Sequence, residues 1–140
     1  MTKHNIWTVS IIGLVIALLF TPLIVATGFY FPYVTGKVFT FRIISSIIFI
    51  LWIILILKKP EFLPKKSCIL VICGVFVLWL AISNAFGVDP ANSFLSNFER
   101  MEGWFTHVYL LMYLVVLSSV VRSEYVWSWI LNVSVIVANI

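Results

Sequence analysis

"FTFRIISSIIFILWIILIL", Phe39–Leu57, decides what kind of chain this is. Apart from Arg42 it carries no charge, and it approaches the roughly 20 apolar residues a helix needs to cross the hydrocarbon core of a bilayer. Arg42 is three positions from its start. A long guanidinium stem reaches the headgroups from there, so the stretch predicts a spanning helix. The whole chain of 140 residues is 63% hydrophobic and 10% charged, with a mean hydropathy of +1.16. Soluble globular domains carry about 25% charged residues. The composition therefore sets that class aside and predicts a polytopic membrane protein.

Four further apolar runs share the pattern. Ile6–Val25, "IWTVSIIGLVIALLFTPLIV", has no charge and exceeds the about 7–15 residue core of a cleaved signal peptide. It predicts an uncleaved helix, with Pro22 kinking its outer end. Cys68–Phe86 and Trp104–Val121 are the third and fourth runs. A fifth starts at Val126 and is still apolar at Ile140. A natural terminus inside the bilayer would leave carbonyls without partners, so the chain is expected to be the N-terminal part of a larger protein. The expected fold class is all-α: one membrane domain, a polytopic transmembrane helical bundle. Its spans are placed at residues 6–25, 39–57, 68–86 and 104–121, with the start of another at 126–140.

Basic residues set the expected orientation. Lys3, Lys58, Lys59, Lys65, Lys66 and Arg122 fall on one side of these spans, and Lys37, Arg42 and Arg100 on the other. The positive-inside rule puts the first group, with the N-terminus, in the cytoplasm. Tyr30, Phe31, Tyr33 and Trp104 then occupy an outer aromatic belt. No basic stripe with interleaved aromatics occupies a polar segment, so nucleic acid is not an expected partner. Cys68 and Cys73 lie inside an apolar run and are read as packing residues rather than a disulfide or zinc pair.

The outward side holds the densest polar group, "SNFERMEGWFTH", Ser96–His107. Gly87, Asp89 and Pro90 supply turn chemistry before it. Ser93 or Ser96 is expected to cap a short helix, and Ser96 with Glu99 fits a capping box. A helix running from about Asn97 would put Arg100 and His107 on one face, with Gly103 between them allowing close approach of a backbone or ligand. The Arg100 fork suits bidentate contact with phosphate. Glu99 and Glu102 have three possible uses: pairing with Arg100, binding sugar hydroxyls, or holding a divalent metal. His107, about one turn inside the fourth run, is expected to hydrogen-bond another helix. No metal-ligand spacing, nucleophile elbow or glycine-rich phosphate loop is present.

"GVDPANSFLSNFERMEGWFTHVYLLMYLVVLSSV", Gly87–Val120, closely resembles the N-terminal region of O-antigen ligase family membrane proteins. In one bacterial branch of that family a GVNPxxSFWSNxERMEG-like loop leads into a helix of this kind. "FYFPYVTGKVFTFRII", Phe29–Ile44, looks like that branch's first outward loop, with its PxxTGK element and aromatic-rich FFRI, and the tail "WSWILNVSVIVANI" is similar to the start of its next helix. Gly36, Lys37, Arg42, Ser93, Phe94, Ser96, Asn97, Glu99, Arg100, Glu102 and Gly103 match the pattern, whereas Leu95 stands where the branch usually has tryptophan.

The resemblance implies a glycosyltransferase of the bacterial inner membrane. Such a protein moves a glycan from an undecaprenyl-diphosphate carrier to lipid A core, a protein or a growing polymer, on the outward side. It implies no cofactor, neither metal nor nucleotide sugar. Catalytic residues are expected beyond residue 140, so the chain alone would be inactive. Lys37, Arg42 and Arg100, with Glu99, Glu102 and His107 beside them, are the candidate substrate-binding residues. Two other readings compete with this one. One is a non-catalytic polytopic scaffold with Glu99, Arg100 and Glu102 as a structural clasp. The other is a lipid-linked glycan transporter, which charges confined to the interfaces disfavour.

Overall fold

Among the described residues, 6–28, 31–96 and 103–139 of a computed structural model, the chain forms α-helices and no strand. The helices are α1 (Ile6–Leu19), α2 (Thr35–Lys58), α3 (Cys68–Ala85), α4 (Pro90–Leu95), α5 (Trp104–Val120) and α6 (Glu124–Ala138). The all-α class is as expected. Two of them, α2 and α3, are long and apolar enough to cross a membrane, while α1, α5 and α6 are apolar but shorter.

Two boundaries depart from the hydropathy pattern for local reasons. The first run was expected to continue to Val25 with a kink, yet α1 stops at Leu19 and a 3₁₀ turn follows at Thr21–Leu23. Pro22 has no N–H to give to the carbonyl of Leu18, four residues back. The Thr21 hydroxyl donates to that carbonyl instead, at 2.6 Å. Helix α2 begins four residues earlier than expected, at Thr35. Gly36 admits this start. It is buried against Ala26, whose Cβ would be 2.5 Å from a Cβ added at Gly36. Arg42 consequently sits seven positions into the helix rather than near its entry.

The core is made of single stripes. Ile11, Val15 and Leu18 on α1 and Ile48, Trp52 and Leu55 on α2 recur at the spacing that lines one helical face. They meet Val116, Leu117 and Val120 of α5, with Val121 just after it and Ile130 of α6. Helix α3 packs chiefly on α5 and α4 and buries only Val77. Its Ile69, Val71, Ile72, Val75, Leu78 and Trp79 face outward.

Helices α2 and α5 run side by side in the same direction, with Arg42 beside Thr106 near their starts and Trp52 beside Ser119 near their ends, which sorts the polar chemistry to two ends. The Lys58 ammonium lies 4.5 Å from the Trp7 ring centroid, joining the end of α2 to the start of α1. At the same end Trp52 Nε1 donates to Ser119 Oγ at 2.8 Å, and that hydroxyl donates on to the Phe62 carbonyl. Lys37, Arg42, Asn84 and the start of α5 occupy the opposite end.

Candidate functional site

The opposite end is assembled around α4. Asp89 caps this short helix, accepting from the Asn92 N–H at 3.2 Å and from Asn92 Nδ2 at 2.6 Å. Asp followed by Pro at the first helical position is a helix-start signal. Read as turn chemistry, it was missed in the sequence: Asp89, not Ser93, caps α4, and the capping box expected of Ser96 with Glu99 extends outside the described residues. Ser93 instead donates its hydroxyl to the Asp89 carbonyl at 2.9 Å. Its own carbonyl accepts from Asn84 Nδ2 at 3.1 Å, which fastens α4 to the end of α3.

Ser96 ends α4. Its φ of 66° and ψ of 168° fall in a region that glycine occupies and other residues avoid. No other non-glycine residue among those described has a positive φ. The polar stretch begins immediately after it. Asn97, Glu99, Arg100 and Glu102 lie outside the described residues.

Gly103 is where the chain returns. A Cβ there would be 2.3 Å from the Phe94 carbonyl oxygen and 2.7 Å from the Leu95 carbonyl carbon. The close approach expected at Gly103 is therefore to backbone. Its contact brings the chain before the polar stretch and the chain after it to one spot. Gly103 is also the residue before α5, with extended dihedrals of −67° and −178°. Helix α5 thus starts at Trp104 rather than running through Gly103, and the face expected to join Arg100 to His107 involves residues outside those described.

The next residue bolts this base in place. Trp104 Nε1 donates to the Val77 carbonyl at 2.9 Å, and its ring meets Phe94 edge-on at 5.5 Å. Three elements, α3, α4 and α5, therefore converge on the two ends of the polar stretch.

Arg42 approaches from α2. Its Nη2 donates to Thr106 Oγ1 at 3.0 Å, and its guanidinium carbon is 5.9 Å from the Tyr109 ring centroid. It stands seven positions inside α2, rather than three from its start, and is held against α5. Lys37 is half-buried one turn nearer the start of α2. Thr106, Tyr109 and Tyr113 form the stripe of α5 that faces α2, Tyr113 meeting Phe41 at 6.3 Å. Their spacing in "WFTHVYLLMY" is the signal that would have found the partners of Arg42.

His107 faces the other way. Its ring meets Phe76 edge-on at 6.3 Å. With Cys73, Val77, Leu110, Leu111 and Leu114 it lines an apolar cleft of about 180 Å³ between α3 and α5. Its Nδ1 is buried with no hydrogen-bond partner among the described residues, in place of the helix-to-helix bond expected from its position. Arg42 and His107 are thus on separate flanks of α5. Among the described residues no three histidine, cysteine, aspartate or glutamate side chains come together where a metal could be held.

What the arrangement offers is cationic. Lys37 and Arg42 stand at the same end of the bundle as Ser96 and Gly103, and a guanidinium presents a planar fork of donors suited to anionic oxygens. Comparison of the chain with family models, curated proteins and solved structures finds no match.

Proposed function

We propose that the chain is the N-terminal part of an O-antigen ligase-like glycosyltransferase that spans the bacterial inner membrane. Its α4 end faces outward and receives an undecaprenyl-diphosphate-linked glycan on its way to an acceptor. The bilayer part of this reading draws on exposed apolar surface. Only 6% of the most apolar window of α3 is buried, whereas the core helix of a soluble protein is buried and monomeric soluble proteins avoid contiguous apolar patches of this kind. Helix α5, at 17 residues, is at the short end of the about 17–25 that spanning helices use. Helix α1 gains length from the 3₁₀ turn that follows it. The orientation rests on the six bases of one side against three of the other.

One observation carries the functional part. The described residues on either side of the ERMEG-like stretch that resembles the family come into close contact, Gly103 against Phe94 and Leu95, at the bundle end that also holds Lys37 and Arg42. Cations at interfacial depth suit the diphosphate of a lipid carrier, each charge-assisted contact contributing about 1.5–3 kcal/mol. Deleting the gene in its source bacterium tests the reading: undecaprenyl-diphosphate-linked glycan should accumulate while its transferred product disappears. Unchanged amounts of both would overturn it. Reporter fusions should place Lys65 in the cytoplasm and Asn92 outside.

A further inference from the structure

The far end of the bundle holds a second concentration of charge that the transfer reading leaves unused. The α2–α3 connector, "KKPEFLPKK", Lys58–Lys66, places a lysine pair on either side of an apolar centre. Lys58, Lys65 and Lys66 are exposed, and Leu63, at the middle, is 52% exposed. Two prolines and a 3₁₀ turn at Pro60–Phe62 restrict the backbone. The connector is also anchored from the side. Arg122, just beyond α5, donates to the Glu61 carbonyl and, at 3.1 Å, to the Ser119 carbonyl. Its guanidinium carbon lies 5.2 Å from the Phe62 ring centroid. The Phe62 carbonyl is taken by Ser119.

These anchors leave the charge intact. The partners of Arg122 are carbonyls and a ring, and Lys58 rests on the Trp7 ring, so no carboxylate among these contacts neutralises either cation. Five cations, Lys58, Lys59, Lys65, Lys66 and Arg122, stand against Glu61 and Glu124, a surplus of three. An exposed leucine between lysine pairs matches the layering of a membrane interface, with apolar atoms below and phosphates at the level of the ammonium groups. Clustered bases beside a spanning helix attract anionic headgroups.

We infer that the Lys58–Lys66 connector, braced by Arg122, is a binding site for the headgroup of an anionic phospholipid. The phosphate sits between the lysine pairs and Leu63 enters the acyl layer. This rests on the bilayer-spanning reading above. A rigid connector gives up little freedom on binding, which distinguishes a headgroup site from lysines that merely orient a helix.

Native mass spectrometry of the full chain, released from bilayers of equal phosphatidylglycerol and phosphatidylcholine, reads the preference directly. Each lysine near a headgroup is expected to contribute about fivefold, so phosphatidylglycerol should be retained roughly tenfold or more over phosphatidylcholine. The double variant Lys65→Gln/Lys66→Gln should lose about that factor while entering bilayers as before. Raised salt should erase the preference of the unaltered chain. Equal retention of the two lipids, or a preference indifferent to both salt and variant, overturns the site while leaving the spanning reading in place. Excess soluble glycerol 3-phosphate should not displace the lipid; displacement would assign the lysines to a free phosphate and overturn the lipid assignment. A chain that does not enter these bilayers would overturn the spanning reading and this site with it.

Discussion

Arg42 of α2 and Thr106 of α5 are joined by a 3.0 Å hydrogen bond across 64 residues of sequence, and the bond gives Arg42 a structural duty beside any role with substrate. A hydrogen bond from a charged donor contributes about 1.5–3 kcal/mol, and the Tyr109 face adds about 0.5–2. The two duties separate by mutation. Thr106→Val removes the acceptor and keeps the cation, so it should lower unfolding stability in detergent by about 1–2 kcal/mol and, on the transferase proposal, spare glycan transfer. Arg42→Ala removes both and should reduce transfer at least tenfold per folded molecule. If transfer followed folded abundance equally in both variants, Arg42 would be a clasp alone.

Gly103 and Ser96 hold the two ends of the polar stretch, and their substitutions should act in opposite directions. A methyl at Gly103 meets backbone of Phe94 and Leu95, which cannot swing aside as a side chain would. Gly103→Ala should therefore cost about 1–3 kcal/mol and hasten protease cleavage within residues 97–102. Ser96→Gly relieves a backbone conformation that costs about 1–3 kcal/mol in a non-glycine residue, partly offset by the greater freedom of glycine in the unfolded chain. It should leave the melting temperature in detergent unchanged or raise it. A fall comparable with that of Gly103→Ala would show that the Ser96 conformation is not a source of strain.

Hydropathy made the helices legible and left their meeting points hidden. Cys68–Ala85 and Trp104–Val120 begin where the apolar runs begin and end within one residue of where those runs end, because neither run contains proline. Pro22 and Gly36 shifted the end of α1 and the start of α2 through one missing N–H and one close contact, neither of which an average over a window registers. At the candidate site the sequence showed that Gly103 admits a close neighbour but not which one. It also placed Arg42 by distance from the helix entry, whereas its position follows from a hydroxyl on another helix. Such pairings are properties of packing, and a single sequence records them only as a faint spacing of Thr106, Tyr109 and Tyr113.

Ser119 supplies the last prediction, because one hydroxyl there serves two buried groups. It accepts from Trp52 Nε1 at 2.8 Å and donates to the Phe62 carbonyl, linking α2, α5 and the connector. Ser119→Ala strands both partners, each at about 1–3 kcal/mol in a dry setting, with helix-to-helix bonds in membranes averaging nearer about 0.6. A loss of about 1–3 kcal/mol is therefore expected. Trp52→Phe removes the indole donor but lets Ser119 keep Phe62. With the donor already gone, adding Ser119→Ala should cost less than it does alone. The double variant should thus lose less stability than the two single losses combined, by about 0.5 kcal/mol or more. Strict additivity in denaturant or SDS titrations would mean that Trp52 and Ser119 do not share an interaction, and the hydroxyl would then hold the connector only.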